Sequence, residues 1–594
     1  MVKKTTKLRW RRRFKRSQHQ VENFAASSEQ GLENHFFKRL GSLAGVRRFV
    51  IGWVLLVVLL GAGVIAQVRA LSPYYQEIRP ADGGIYTEGI LGTFTTVNPL
   101  YATGSVDSSV SRLLFSGLMK YNSKNELVSD LALSVTPDER GLTYTVKLRD
   151  DVYWHDDKPV IADDVIYTYQ VIQNPDAKSP LRSNWTGTKF EKKDDKTIVF
   201  TLPHPLSSFP HLLTTGIVPE HVLGTIPASQ LRTVSFNTSS PVGSGPFRWD
   251  SIQISGQTPE TREEQIGLSA NTRYYDGTPK IDRIIVKAIH TEDSLTNQFN
   301  GQQIDAMMGL DNFPESVHPD LSLSEYDIPI NGEVMVFFKS SNDVLKDKTV
   351  RQALTKATDH AEILSGLGFP VIASNSPLLP AHLGYAKDIT QFPTNVDEAN
   401  TMLDQAGWVR GADGMRSKGT QALTFQLTSR NSSEYAYVTQ VLQKQWRAIG
   451  VNVTVVLQTD SDLQSTMALH GYDALLYGIT LGSDPDAYAY WHSSQADIRS
   501  SNRLNFSEFN SKAADSALEG GRTRVDPVLR AAKYRPFLAA WRDEAPAVAL
   551  YQPRFLYITR GKVYGLNPTV VNTTTDRYAN VQNWQIRTER VTVE

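Results

Sequence analysis

The sequence predicts an α/β protein of two lobes, one of them built from discontinuous segments, behind a single N-terminal membrane-spanning helix. Three observations predict it. Residues 49–66, FVIGWVLLVVLLGAGVIA, run for eighteen residues with no charge and no strongly polar group. From about residue 345 the apolar residues switch repeatedly between helical spacing and strand spacing, the order of a βαβ domain. Before that lies a region of alternating half-buried strand patterns, and a further strand pattern, PAVALYQPRFLYI at residues 546–558, returns near the end of the chain.

The apolar segment comes first. At about 1.5 Å per residue, a helix over it reaches roughly 27 Å, close to a bilayer core of about 30 Å. Residues 1–48 hold thirteen lysines and arginines against three glutamates. Positive flanks stay in the cytoplasm. Residues 1–48 are therefore expected as a cytoplasmic basic arm with one short amphipathic turn near residues 35–40, residues 49–69 as a transmembrane signal-anchor, and the rest as an extracytoplasmic body. The arm acts as a topogenic flank with affinity for anionic lipid. A cleaved signal peptide is the rival reading, but its apolar region is usually about 7–15 residues, and Ala66 and Ala70 make poor cleavage sites.

Beyond residue 48, 49 cations face 59 anions, a balance that argues against a nucleic-acid partner. The chain has no cysteine, which excludes both disulfides and a lipid-attachment cysteine and leaves the helix as the visible anchor. About 525 residues are too many for one core and predict two or three domains.

Along the body, Asp107 is expected to cap a helix with Val110, Leu113, Leu114 and Leu118 on its apolar side. Leu142, Tyr144, Val146 and Leu148 alternate with polar residues, and residues 197–202 do likewise. A helix from about Ala162 places Val165, Tyr169 and Ile172 on one face. Asn395 with Glu398 resembles a capping box for a helix bearing Val396, Ala399, Leu403 and Ala406, ended by Gly407. A strand at residues 422–428 leads to a helix with Val438, Leu442, Trp446 and Ile449, closed by Gly450. A strand at Val451, Val453 and Val455, a short helix after Asp460 and a strand at residues 472–477 complete the unit.

Few motifs carry chemistry. WHDDKP (residues 154–159) offers a histidine and two aspartates, but zinc wants three or four convergent ligands, and the adjacent Asp156 and Asp157 cannot both point inward from a strand. A polar turn before a helix is the plainer reading, with Asp163 and Asp164 in its first turn and Ile161 where a cap would stand. PVGSGPF (residues 241–247) lacks the Lys-Ser/Thr of a phosphate loop and reads as a rigid turn. There is no G-x-S-x-G, no HExxH and no cysteine nucleophile. No catalytic residue, metal ligand or cofactor is assigned.

Ten stretches together resemble the family 5 extracellular solute-binding proteins, the dipeptide, oligopeptide and nickel receptors of ABC importers. They run from YTEGILGTFTTVNPLYA (residues 86–102) and SRLLFSGLMKYN (111–122) through WHDDKPVIADDVIYTY (154–169), PVGSGPF and NTRYYDGTPKID (271–282). KTVRQALTKATD (348–359), NVDEANTMLDQAGW (395–408), QKQWRAIGVNV (443–453), GSDPDAYAYWHS (482–493) and DEAPAVALY (543–551) follow in order. The resemblance implies a type II, periplasmic-binding-protein-like clamshell with an extra subdomain in lobe I. Residues 70–332 form lobe I, residues 333–545 lobe II, and residues 546–594 return to lobe I, with hinges near residues 333–338 and 547–551.

It implies a receptor that captures oligopeptides by hinge closure and hands them to permease and ATPase subunits on separate chains. The rivals are the same fold binding a nickel chelate, haem or an oligosaccharide, and a non-transport envelope protein on this scaffold. Phe94, Thr95, Thr96 and Asn98 match the family's first cleft-lining segment. The loop GSDPDAYAYWHS follows a strand's C-terminal end, where α/β domains place ligands. Its Asp484 and Asp486 are candidates to pair with a peptide's α-ammonium, or to cap the following helix. The family's usual clamp position falls near the uncharged Leu481, so the clamp is either shifted to Asp484 or absent. Tyr477, Tyr488, Tyr490 and Trp491 form an aromatic wall or pack in the core.

Overall fold

The computed structural model describes residues 47–592 except 257, 259–261, 319–321 and 501–502. The basic arm, with the turn expected near residues 35–40, lies outside the described residues but for its last positions. Two units are distinguished, the division falling after Arg79 and again after Arg587. In the first, Arg47–Tyr75 is one continuous helix, and its Arg48–Ala70 part is the one stretch among the described residues long and apolar enough to cross a membrane. The following strand, Gln76–Ala81, pairs with the last strand, Arg587–Thr592.

The second unit carries two main sheets. The seven-stranded sheet runs in the order Leu323–Pro329, Arg554–Arg560, Ala306–Met308, Ile85–Leu91, Arg283–Ile289, Glu263–Ala270, Phe247–Ser255. The five-stranded sheet runs Asn452–Gln458, Thr424–Arg430, Ala474–Thr480, Gly332–Phe338, Ala547–Tyr551. Its first three strands are parallel and joined by the helices Ser433–Ala448 and Asp460–Ala468, the βαβ order that the periodicity predicts. Every residue of Gly332–Phe338 is buried. Val334, Val336 and Phe338 enter the core on one face of that sheet, and Met335 and Phe337 enter the core on the other. That is the period-2 signature of a strand covered on both sides.

A four-stranded antiparallel sheet, Ala132–Pro137, Thr143–Leu148, Thr197–Thr201 and Lys189–Asp194, forms the subdomain of the first lobe. The helix Ala162–Gln173 buries Val165, Tyr169 and Ile172 as expected. The chain passes from the seven-stranded to the five-stranded sheet between Pro329 and Gly332, and returns between Tyr551 and Arg554.

Several local expectations are corrected. Gly104, not Asp107, stands at the N-cap of the helix Ser105–Leu114, and Leu118 lies beyond that helix. The strand expected over residues 422–428 begins at Thr424, because Gln421–Ala422 belongs to a small three-stranded sheet. Val396 is exposed although its helix is capped by Asn395 as read, Asn395 Oδ1 accepting from Glu398 N at 3.0 Å. The run 546–558 is two strands in two different sheets, split at Gln552 and Pro553. Proline has no N–H to give a ladder, so it stands between the strands.

Candidate ligand-binding cleft

The first wall of the cleft follows the strand Ile85–Leu91. Phe94 is buried and stacked on Trp249, with ring centroids 6.5 Å apart. Asp107, in the first turn of Ser105–Leu114, accepts from Thr95 N (2.7 Å), Thr96 N (3.2 Å) and the Thr95 hydroxyl (2.5 Å). Burial raises the Asp107 pKa, and these bonds oppose the rise. Asn98 is wholly buried: its Oδ1 accepts from Leu100 N and its Nδ2 donates to Asn237, both at 3.0 Å. The polar atoms expected to meet a ligand are thus largely spent on holding the turn. Only Thr95 of the four is exposed.

The second wall follows Ala474–Thr480. Asp484 does not stand as an open carboxylate: Arg530 donates to its two oxygens at 2.6 and 2.8 Å. The two side chains are only 11% and 6% exposed, so this is an enclosed pair. Burial acts to lower the Arg530 pKa, but the bonds and charge of Asp484 outweigh it and hold the guanidinium protonated. Asp486 pairs with Arg522 at 2.8 Å. Neither aspartate caps the short helix Tyr488–Trp491, whose N-cap is Ala487. Trp491 is fully buried, with Trp541 edge-on to it at 5.9 Å and Phe337 tilted against it at 5.6 Å, so it is core and not wall. A tryptophan flanked by aromatics reads the same in sequence whichever way it points. Asp484, Asp486, Asn98 and Trp491 all have partners within the protein: two ion pairs, an amide network and a packed aromatic cluster.

Two residues of the expected aromatic wall, Tyr477 and Tyr488, line cavities. About 280 Å³ of space is bounded by Tyr477, Gly478, Arg430, Tyr435, Asp460 and Met467 at the C-terminal ends of two parallel strands. Arg430 and Asp460 were not singled out in the sequence, although the strand-end rule that picked the Asp484 loop applies equally to Arg430, the last residue of Thr424–Arg430.

The lobes meet at several points. Ser207 N and Oγ donate to Arg522 O at 2.9 and 3.1 Å. His211 Nδ1 bonds the Tyr121 hydroxyl at 2.7 Å, and its Nε2 lies 3.7 Å from Asp484. Burial lowers the His211 pKa and pushes Tyr121 up to about 12. Asn312 Nδ2 donates to Ser433 Oγ at 3.3 Å, and Arg430 lies 3.8 Å from Asp311. Between the subdomain and the second lobe is a cavity of about 690 Å³, bounded by His204, Pro205 and Phe209 on one side and Tyr488, Glu519 and Arg522 on the other. The Arg522 guanidinium lies 4.2 Å from the Tyr488 ring centroid.

The two motifs with rival chemical readings lock onto each other. His155 is buried: its Nδ1 accepts from Gly243 N (3.2 Å) and its Nε2 donates to Gly245 O (3.1 Å). A Cβ on Gly243 would come 2.0 Å from Leu114 O, which is why glycine stands there. Asp164 accepts from Ile161 N (3.0 Å), Trp154 Nε1 (3.0 Å) and Glu220 N (2.9 Å), supplying the cap that Ile161 cannot. Both motifs are scaffold. No cluster of three or more metal-ligating side chains occurs among the described residues.

Against this geometry the comparisons are decisive for family. The model for bacterial extracellular solute-binding proteins, family 5, matches residues 126–500. The chain belongs to that family. Among family 5 relatives, the oligopeptide-binding protein AppA of Bacillus subtilis is 29% identical over 500 residues, spanning 80% of this chain and 87% of AppA. The structure of B. subtilis AppA in complex with a nonapeptide superposes with a TM-score of 0.69 at 27% identity, covering 86% of this chain and all of AppA. NikZ from Campylobacter jejuni, in complex with Ni(L-His), gives 0.71 at 25% identity over 84% of this chain and 99% of NikZ. The two-lobed family 5 fold and a solute-binding role are thereby established.

Proposed function

We propose that this protein is the membrane-anchored receptor of an ABC importer, capturing oligopeptides outside the cytoplasmic membrane and delivering them to permease and ATPase subunits on separate chains. It acts as a binder without catalysis and without a cofactor. The observation that carries the reading is the end-to-end likeness to AppA in its nonapeptide complex, together with the cavity of about 690 Å³ bounded by both lobes. The helix Arg47–Tyr75 serves as an uncleaved anchor with the basic arm in the cytoplasm. A tether of this kind keeps the receptor in the plane of its permease and raises the effective concentration for docking.

The peptide lies between Thr95 and Phe94 on one side and Tyr477 with its pocket on the other. Because Asp484 and Asp486 are already paired with arginines, affinity comes from main-chain bonding and side-chain pockets. Native mass spectrometry of the detergent-solubilised protein, titrated with a mixed-length peptide library, tests the reading. Peptide adducts are expected, with free and N-acetylated forms binding alike. Tight binding of a nickel–histidine chelate or a sugar with no peptide adduct overturns the ligand.

A further inference from the structure

The crossing between the lobes does more than connect them. Asn331 sits in it, buried. Its N–H donates to Val571 O (2.7 Å) and its Nδ2 donates to Asn572 Oδ1 (3.1 Å), both in the C-terminal segment that follows the return to the first lobe. Asn572 is itself fixed: its Nδ2 donates to Asn125 Oδ1 (2.6 Å), and its Oδ1 also accepts from Asn125 Nδ2 (3.3 Å). Asn125 and Asn572 are buried as well. The carbonyl of Asn331 faces the other way and accepts two N–H groups, from Leu481 (2.9 Å) and Gly482 (3.2 Å). Those residues open the loop that carries Asp484 and Asp486. The next residue, Gly332, allows the close approach, since a Cβ there would come 2.3 Å from Ile479 O.

We propose that Asn331 is a positioning residue for ligand binding, its side chain anchored to the first lobe through Asn572 and its carbonyl holding the loop at residues 481–486 beside the crossing. The loop is then tied to both lobes, to the first through Asn331 and Asn572 and to the second through Arg530 and Arg522, so one wall of the cleft is set at the crossing before a ligand arrives. A buried amide network of this kind stays put because leaving a member unpaired in a low-dielectric interior is costly. The role in binding rests on the receptor reading above; the mechanical link does not.

The test separates the two. Asn572→Ala removes the side-chain anchor without altering a residue of the crossing or the loop, leaving the main-chain bond from Asn331 N to Val571 O in place, and Asn331→Asp removes the donor of the same side-chain bond with little change of shape. Hydrogen–deuterium exchange on the full chain in detergent reads the Leu481 and Gly482 amides directly. Both variants are expected to exchange these amides at least about tenfold faster, with the strand Ala474–Thr480 unchanged. They are expected to weaken binding of a library-selected peptide by about tenfold, the worth of roughly one hydrogen bond. Unchanged exchange at the loop, or a rise spread evenly over the second lobe, overturns the proposal. Faster exchange with unaltered peptide affinity overturns the positioning role. If the parent protein binds no peptide, the receptor reading fails, and the exchange result alone still decides the link.

Discussion

Replacing Arg530 by methionine keeps an unbranched apolar stem and removes the guanidinium with its charge, leaving Asp484 without the two bonds that enclose it. The pair spans the loop after Ala474–Thr480 and the helix Pro527–Glu544, and Arg530 also donates to Gly521 O at 3.1 Å. With both side chains almost wholly out of water, removing one partner strands a buried charge, which costs about 3–5 kcal/mol. His211 Nε2, at 3.7 Å, is too far to replace the lost bonds. Urea unfolding of the ligand-free protein is the assay, run on Arg530→Met, Asp484→Asn and the double variant. The double variant is expected to recover at least about 2 kcal/mol relative to the sum of the singles, since neither charge is then stranded. A single-variant loss below about 1 kcal/mol, the range of an exposed pair, refutes the reasoning, as does strict additivity. So does a large loss of peptide affinity in Asp484→Asn with stability untouched, because that is the behaviour of a ligand clamp.

Trp491→Ala is expected to cost about 3–5 kcal/mol of stability, as for any large aromatic removed from a core; normal unfolding with impaired peptide binding in titration calorimetry would return Trp491 to the cleft. Acidification supplies another prediction. Burial depresses His155 from 6.5 to about 4, so the folded state resists the proton that the unfolded chain accepts. Its contribution is fully present above pH 6.5 and is lost as pH falls toward 4, by about 3 kcal/mol in all. The stability difference between the parent and His155→Gln, followed by denaturant unfolding across that range, should shrink accordingly; a constant difference would show that His155 does not titrate with folding.

The sequence by itself determined what depends on near neighbours along the chain. The apolar run at residues 49–66 specifies its helix, and the switching periods beyond about residue 345 specify the βαβ order, because both signals repeat within a few residues. Asn395 and Gly407 end their helix for the same local reason, the latter at φ +84°. Ordered motifs reached further and named the family, since together they record a whole fold.

What the tertiary structure alone decided is which groups are left free. The partner of Asp484 lies 46 residues away, and Asn331 meets Asn572 across 241. No period or spacing in the chain announces such a contact. An aspartate in a strand-end loop is chemically fit to hold an ammonium, and in sequence nothing distinguishes that use from an internal ion pair. The choice is made by packing, which brings Arg530 and Arg522 to the loop first and leaves Tyr477, Arg430 and Asp460 around open space.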